Sequence, residues 1–149
     1  MRIAVFGSTG AVGTHVVRRA LEREWDVVAF ARTPSKLGEL RERVEVVQGD
    51  VQDPSSFGRT VMLTIMQLVA GTMLDDAQRH TDMIRRTGLD WTVVRPPRLT
   101  DEPYTGEWHA GYMKLGPTSK MGREDLAEFM LQQVESDEWI SESPMVANA

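Results

Sequence analysis

Cysteine is absent from the 149 residues. Without a thiol the chain cannot form a disulfide, bind a metal through thiolates or use a cysteine nucleophile. His15, His80 and His109 lack the spacing of a metal-ligand set, so no metal site is predicted. The missing cysteines agree with a reducing compartment, and the start of the sequence lacks the long hydrophobic region of a signal peptide. We therefore expect a cytoplasmic protein.

An excess of positive charge is also missing. Lys and Arg number 17 against 22 Asp and Glu, which gives a net charge of −5. That balance offers no general attraction to nucleic acid or to an anionic membrane. The longest apolar-rich stretch, residues 61–74, is interrupted by Thr64, Gln67 and Gly71 and is too short for a bilayer span. We expect no nucleic-acid or membrane partner, so an anionic ligand would have to be bound by local features.

The first fifty residues alternate short apolar runs with amphipathic stretches. Strands are predicted at residues 2–6, 27–31 and 44–47, and helices at residues 11–23 and 35–43. Strands and helices that alternate at this spacing are typical of a parallel sheet with crossover connections. The predicted fold class is therefore α/β, a Rossmann-like doubly wound parallel sheet reduced to about four or five strands. Its length suits a single domain over residues 1–149.

The rest of the chain is less regular. A helix start at Asp53-Pro54 and a helix at 74–87 are predicted, whereas periodicity does not decide between strand and helix at 61–74. Further predictions, in chain order, are a strand at 90–95, a polar loop at 99–121, a helix at 123–134 and a short edge strand at 144–147. We expect strand order 3-2-1, with the strand that contains Trp91 beside the first strand. The alternative is that residues 61–74 supply that neighbour.

Three glycines follow the first predicted strand and open the first predicted helix. Gly7 permits a sharp turn, Gly10 lets the backbone approach a diphosphate, and Gly13 lets the helix pack closely on the strand. Main-chain amides at the helix start, aided by the helix dipole, can then bind phosphate without net positive charge. The alternative is a plain glycine-rich turn. The predicted cofactor-binding residues of this loop are Gly7, Ser8, Thr9, Gly10, Ala11, Val12 and Gly13.

The end of the second predicted strand bears on which dinucleotide is bound. Sites for NAD usually carry Asp or Glu there, whereas this chain has Arg32, with Lys36 nearby. Arg32 can clamp a 2′-phosphate and Lys36 can add a donor, which favours NADP (NADPH) over NAD. Asp50 and Val51 follow the third strand, where this fold commonly contacts the adenine ring. The alternatives are a solvated charge for Arg32 and an ordinary strand-end turn for Asp50.

The spacing GxxGxxG resembles that of the short-chain dehydrogenase/reductase superfamily. Further matching segments, in order, are residues 75–79, 85–99, 103–106 and 123–131. Together they resemble the NAD(P)H-dependent flavin reductase/biliverdin reductase B group of atypical short-chain reductases, close to NmrA-like proteins. The resemblance covers nearly the whole chain apart from about residues 61–73. It implies an NADPH-binding Rossmann fold that passes hydride to a small-molecule acceptor such as a flavin (FMN or FAD), a bilin or a quinone-like compound.

The substrate side is expected at the exit of the strand at 90–95, because ligands of open α/β sheets bind at carboxyl ends of strands. Pro96 is predicted on the cofactor side, and Arg95, Pro97 and Arg98 on the substrate side, where Arg98 can attract a phosphate or propionate. The alternative is a strand exit with exposed arginines.

The chain also departs from the family pattern. Two central βα units, on the order of 60 residues, are missing. Tyr104 and Tyr112 are not followed four residues later by Lys, so no acid–base pair of that type is predicted and the catalytic residues stay unassigned. Besides the reductase, two interpretations remain open. One is a non-catalytic NADP-binding, redox-sensing NmrA-like module, and the other is an inactive shortened relative that folds as a homo-oligomer.

Overall fold

The computed structural model describes residues 1–50, 65–66 and 90–148. In chain order the elements are β1 (Arg2–Phe6), α1 (Gly13–Glu22), β2 (Asp26–Ala31), a 3₁₀ segment (Pro34–Glu42), β3 (Glu45–Gln48), β4 (Ile65–Met66), β5 (Arg98–Thr100), β6 (Trp108–Gly111), β7 (Lys120–Gly122), α2 (Arg123–Glu135) and β8 (Met145–Asn148). None of the described helices has the length and apolar character of a transmembrane segment.

The main sheet has four strands in the order β3-β2-β1-β4, and every neighbouring pair is parallel. Residues Ile3 to Val5 of β1 and Val27 to Ala31 of β2 are buried. Continuous apolar runs of this kind are expected where a parallel strand is covered on both faces. The Rossmann-like fold with a small parallel sheet and the strands predicted at 2–6, 27–31 and 44–47 are confirmed.

Helix α1 follows from the apolar stripe in its sequence. Val16, Val17 and Ala20 recur at helical spacing and are buried, while Arg18 and Glu22 on the other side are exposed. Burial of each valine contributes roughly 1.5–3 kcal/mol, so this stripe fixes the face that α1 turns to the core. The same core includes the buried side of α2, with Leu126, Phe129 and Leu131 among its residues. The predicted helix at 123–134 is therefore confirmed.

The neighbour of β1 differs from the expected one. β4 occupies that position, with Ala4 in register with Ile65 and Val5 with Met66. The expectation that the strand containing Trp91 lies there is wrong, and the alternative, a strand from residues 61–74, is correct at 65–66. The predicted helix start at 53, the predicted helix at 74–87 and the predicted cofactor contact at Val51 lie outside the described residues.

Residues 90–95 find their backbone partners in the C-terminal segment instead of beside β1. The Val93 and Arg95 amides donate to the carbonyls of Glu142 (3.1 Å) and Pro144 (2.9 Å), and only two isolated bridges form. The predicted regular strand is therefore wrong, and the pairing cannot extend beyond Arg95, because Pro96 and Pro97 have no amide hydrogen to donate. The short edge strand predicted at 144–147 is observed as β8, which pairs antiparallel with β6 in a separate two-stranded sheet and also bridges to Arg95 through Met145.

Two further predictions need correction. The predicted polar loop at 99–121 includes β6 and parts of β5 and β7. β6 pairs with β8, and β5 pairs with β7. These strands have only three or four residues and lie between glycines and prolines, so their sequence pattern is that of a loop. The predicted helix at 35–43 is a 3₁₀ segment interrupted at Gly38, whose φ is 57°. Leu37 in this segment is nevertheless buried as expected.

Candidate functional site

The candidate site lies at the carboxyl edge of the parallel sheet. β1, β2 and β3 are parallel and in register, with Phe6 opposite Phe30 and Ala31 opposite Gln48. The residues that follow these three strands therefore emerge at one edge. Gly7, Arg32 and the Gly49–Asp50 pair are those residues, and ligands of open α/β sheets bind at this edge.

The glycine loop has a backbone that other residues would not tolerate. Gly7 has a φ of 71°, and its carbonyl accepts the Gly10 amide at 2.8 Å, which closes a tight turn. A Cβ on Gly13 would lie 2.1 Å from the Gly7 carbonyl oxygen, far inside van der Waals contact. The close approach of helix and strand that was predicted for Gly13 therefore has a direct steric basis.

Three main-chain amides at the start of α1 are available to a ligand. The first i to i−4 hydrogen bond of the helix runs from the Thr14 amide to the Gly10 carbonyl, at 3.0 Å. The amides of Ala11, Val12 and Gly13 precede it, and a helix supplies no internal acceptor for such amides. Gly10 and Ala11 are exposed. With the positive end of the helix dipole, this is an arrangement suited to an anion such as a diphosphate.

Two predicted loop residues can contribute only their backbone. Ser8 is fully buried, and its hydroxyl donates to the Phe30 carbonyl at 3.0 Å. Val12 is 3% exposed and belongs to the core. The Ser8 side chain therefore ties the loop to β2, and the Thr14 hydroxyl, which donates to the Gly10 carbonyl at 2.9 Å, ties it to α1. These contacts attach the loop to β2 on one side and to α1 on the other.

Arg32 and Asp50 meet at the same edge. The Arg32 Nη1 and Asp50 Oδ2 atoms are 3.9 Å apart, and the two side chains are 75% and 39% exposed. The Gln48 side-chain amide donates to the Arg32 carbonyl at 3.4 Å. Lys36 is exposed at the start of the 3₁₀ segment, where its amide donates to the Thr33 carbonyl at 3.1 Å. The structure thus brings Arg32 and Asp50 together beside the glycine loop.

The predicted substrate-side residues belong to a different set of contacts. Arg95 is joined to β8 through its backbone, and Arg98 opens β5 in register with Lys120. Both side chains are exposed, and Pro96 and Pro97 between them are half-buried. In the part of the chain that the structure describes, no hydrogen bond or ion pair joins Arg95 or Arg98 to the glycine loop.

A polar cluster that the sequence reasoning missed holds the loop before β6. Asp125 is 1% exposed, and its Oδ1 accepts the amides of Thr105 (3.0 Å) and Gly106 (2.9 Å). Its Oδ2 accepts the Thr105 hydroxyl at 3.1 Å and the Asn148 side-chain amide at 2.9 Å. An aspartate in the first turn of a helix, directly before the buried Leu126 and Ala127, is the signal that could have indicated a buried acceptor.

A second cluster joins α1 to α2. Arg19 donates to Glu124 (3.1 Å) and Glu128 (3.0 Å), Arg23 also pairs with Glu128, and the Tyr104 ring lies 3.9 Å from the Arg19 guanidinium. Burial raises the pKa of Glu128, but hydrogen bonds and charge from Arg23 and Arg19 outweigh it, so the pKa lies below its ordinary value. For Arg19, burial lowers the pKa and the glutamates outweigh this, so the pKa is raised.

A family model described as NAD(P)H-binding matches residues 7–64 and 61–137. The matched segments meet at the region where the chain departs from the short-chain reductase pattern. They include the glycine loop, Arg32 and Asp50 in the first segment and the 95–98 region and all of α2 in the second.

Three solved structures illustrate the likeness in fold. The chain is similar to a Rossmann-fold NAD(P)-binding family protein from Shigella flexneri (18% identity, 99% of this chain and 93% of that chain covered, TM-score 0.78). It is also similar to an anaerobillin reductase from Escherichia coli O157:H7 (16%, 99% and 96%, 0.75). A wide-type short-chain dehydrogenase/reductase from Veillonella parvula, solved in complex with NADP, is the third (13%, 97% and 93%, 0.75). At these identities the likeness shows the fold.

Proposed function

The chain belongs to the NAD(P)H-binding family, and from this premise we propose that it is an NADPH-dependent reductase. Its acceptor is a flat conjugated molecule such as a flavin, a bilin or a quinone-like compound. The observation that carries the proposal is the glycine loop, where three amides without intrahelical acceptors lie next to a carboxyl edge that also presents Arg32. The similarity to an anaerobillin reductase supports the acceptor class.

The residues present fit a dinucleotide. At Gly7, Gly10 and Gly13 there is no Cβ, so only main chain occupies these positions of the turn and of the start of α1. Ala11, Val12 and Gly13 would hold the diphosphate, and Arg32 would bind a 2′-phosphate through its planar fork of donors. Lys36 would add positive charge, and Asp50 would lie near the adenine end. We propose NADP over NAD on these grounds, and the NADP complex of a similar structure supports it.

The chain's contribution to the reaction is binding and orientation. A bound NADPH supplies a hydride, which needs no side-chain nucleophile. The loop amides fix one end of the cofactor, and Arg95, Pro97 and Arg98 form the proposed acceptor side, with Pro96 toward the cofactor. A guanidinium such as that of Arg98 is suited to a flavin phosphate or a bilin propionate. Holding donor and acceptor in contact then accounts for the rate enhancement.

The direct test mixes purified protein with NADPH and one acceptor at a time, namely FMN, FAD, biliverdin or a soluble quinone. The decay of NADPH absorbance is followed against a buffer control and against NADH at equal concentration. We expect oxidation above buffer with at least one acceptor, and faster with NADPH. Binding of NADPH without oxidation of it by any of these acceptors would contradict the reductase.

The second candidate is a non-catalytic NADP-binding module that senses the redox state of the nucleotide pool, as in NmrA-like proteins. The observation that favours it is that the sequence has an intact glycine loop but no Tyr-x-x-x-Lys pair. Tight NADP binding without turnover is its expected signature. A calorimetric titration that detects no binding of either nucleotide would eliminate both candidates.

A further inference from the structure

The ion pair between Arg32 and Asp50 brings a negative charge to the proposed 2′-phosphate site. Arg32 follows β2 directly and Asp50 lies two residues beyond β3, on adjacent parallel strands. Their charged atoms are 3.9 Å apart, which is longer than a charge-assisted hydrogen bond, and the Arg32 side chain is 75% exposed. The guanidinium is therefore attracted to the Asp50 carboxylate at a distance that is too long for a hydrogen bond.

We propose that Asp50 is a specificity-determining residue. Its carboxylate competes with the ribose 2′-phosphate for Arg32, and this competition reduces the ratio of the affinity for NADPH to the affinity for NADH. The inference rests on the proposed role of Arg32. It assigns the Asp50 carboxylate as the resident anion of that guanidinium in the nucleotide-free protein. A dinucleotide with a 2′-phosphate has to displace it, whereas one with a free 2′-hydroxyl does not.

Two electrostatic effects act in the same direction. Arg32 exchanges one anion for another when a 2′-phosphate binds, so it gains less than an unpaired guanidinium would. The displaced carboxylate stays at the same strand end, where it repels the incoming phosphate. A nucleotide without the 2′-phosphate experiences neither effect. Asp50 thus lowers the affinity for nucleotides with a 2′-phosphate and leaves the affinity for nucleotides without it nearly unchanged. The specificity therefore comes from a repulsive interaction with one of the two ligands.

The local structure makes this testable by substitution. The pair is exposed, and such pairs contribute about 0.2–1 kcal/mol to stability, so Asp50→Asn is expected to fold. The Arg32 backbone is held independently of Asp50 by the Gln48 side-chain amide. Glu45, at the opposite end of β3, pairs with Arg2 at 2.6 Å and is similarly exposed. Glu45→Gln therefore removes one negative charge at the opposite end of β3 without altering Arg32, and it serves as the matched control.

The experiment measures calorimetric affinities of the full chain for adenosine 2′,5′-bisphosphate and for 5′-AMP. Both probes carry adenine, so any adenine contact of Asp50 cancels in the ratio of the two affinities. We expect Asp50→Asn to raise the ratio in favour of the bisphosphate by about two- to fivefold, the range of an exposed ion pair. Glu45→Gln should leave the ratio unchanged.

Two further variants separate this inference from the proposed function. Arg32→Gln is expected to lower the ratio, and adding Asp50→Asn to it should raise the ratio by less than in the parent, because the repulsion remains but the competition needs the guanidinium. An unchanged or lower ratio in Asp50→Asn, or an equal gain in the Arg32→Gln background, would overturn the inference. An unchanged ratio in Arg32→Gln would instead refute the 2′-phosphate role of Arg32 itself.

Discussion

At the scale of single residues, the glycine loop is maintained by contacts that point away from the ligand. The Ser8 hydroxyl is buried against the Phe30 carbonyl, and the Thr14 hydroxyl is bonded to the Gly10 carbonyl. Sequence reasoning assigned Ser8 to the cofactor because it lies between two loop glycines. The structure shows why residue type alone misleads here, since a small hydroxyl can serve either the ligand or the neighbouring strand.

The role of Ser8 gives the first prediction. Ser8→Ala removes the buried donor to the Phe30 carbonyl, and we expect the free energy of unfolding to fall by about 1 kcal/mol. Urea denaturation followed by circular dichroism measures it. Ser136→Ala is the control, because the Ser136 hydroxyl accepts an exposed amide from Glu138 and its loss should matter less. Equal stability of Ser8→Ala and the parent would contradict the tether.

At the scale of elements, one polar cluster joins the C-terminal half to the Rossmann half and a second holds the C-terminal half together. Arg19 and Arg23 of α1 meet Glu128 of α2, and Asp125 of α2 binds the loop before β6 and the end of β8. Both carboxylates are buried, at 8% and 1% exposed, and both are paired. A buried, paired carboxylate costs much more to disrupt than an exposed one.

The α1–α2 cluster predicts a pH dependence. Because the folded-state pKa of Glu128 lies below its unfolded-state value, its contribution is complete above the unfolded-state pKa and is lost as the pH falls through the folded-state pKa. Glu128→Gln should lower the free energy of unfolding at neutral pH by about 2 kcal/mol and flatten its decline in acid. Urea titrations across this acidic range measure both effects.

The control for this prediction is the exposed pair of Glu45 and Arg2. Their side chains are 60% and 51% exposed, so Glu45→Gln should change stability by less than about 0.5 kcal/mol. If Glu128→Gln were no more destabilising than Glu45→Gln, the network between the helices would not have the role assigned to it.

The Asp125 cluster predicts a local change in protection. In Asp125→Asn one oxygen becomes an amide donor and faces groups that donate, so the loop at 101–107 loses part of its attachment. We expect faster chymotrypsin cleavage after Tyr104, which mass spectrometry of timed digests detects. Glu135→Gln, at the exposed end of α2, should digest like the parent at this bond. Identical rates in Asp125→Asn would show that other contacts hold the loop.

At the scale of the whole molecule, the sequence predicted the half of the fold whose local chemistry is unambiguous. Continuous apolar strands, one amphipathic helix and the glycine turn are each determined within about ten residues, and β1, α1, β2 and β3 follow. The neighbour of β1 was predicted only as one of two alternatives, because a two-residue strand has no periodicity to detect. β5 and β7 were missed for the same reason.

The candidate site divides in the same way. The glycine loop and Arg32 could be placed from sequence, because parallel strands bring their carboxyl ends to one edge. The ion pair of Arg32 with Asp50 and the Asp125 cluster could not, since each joins residues that only the tertiary fold brings together. The substrate-side positions were assigned from a strand at 90–95 that the structure replaces with bridges to residues 142 and 145. Their role consequently depends on the acceptor experiments.

The central claim is that glycine at position 10 leaves the loop amides open to a diphosphate. A Cβ there would lie 3.1 Å from the Gly7 carbonyl, a contact that small shifts can relieve, whereas a larger side chain would occupy the approach to the amides. Gly116 is the control, because its Cβ would meet nothing closer than 4.0 Å. Both positions are exposed, so both valine variants are expected to fold.

The decisive measurement is NADPH-dependent thermal stability of the parent, Gly10→Val and Gly116→Val. At a hundred times the dissociation constant, NADPH should stabilise the parent and Gly116→Val by about 2.7 kcal/mol. Gly10→Val should melt close to the parent without nucleotide and gain at most about half as much with it, which corresponds to an affinity loss of about tenfold or more. A folded Gly10→Val protein that NADPH stabilises as strongly as it does the parent would contradict the account.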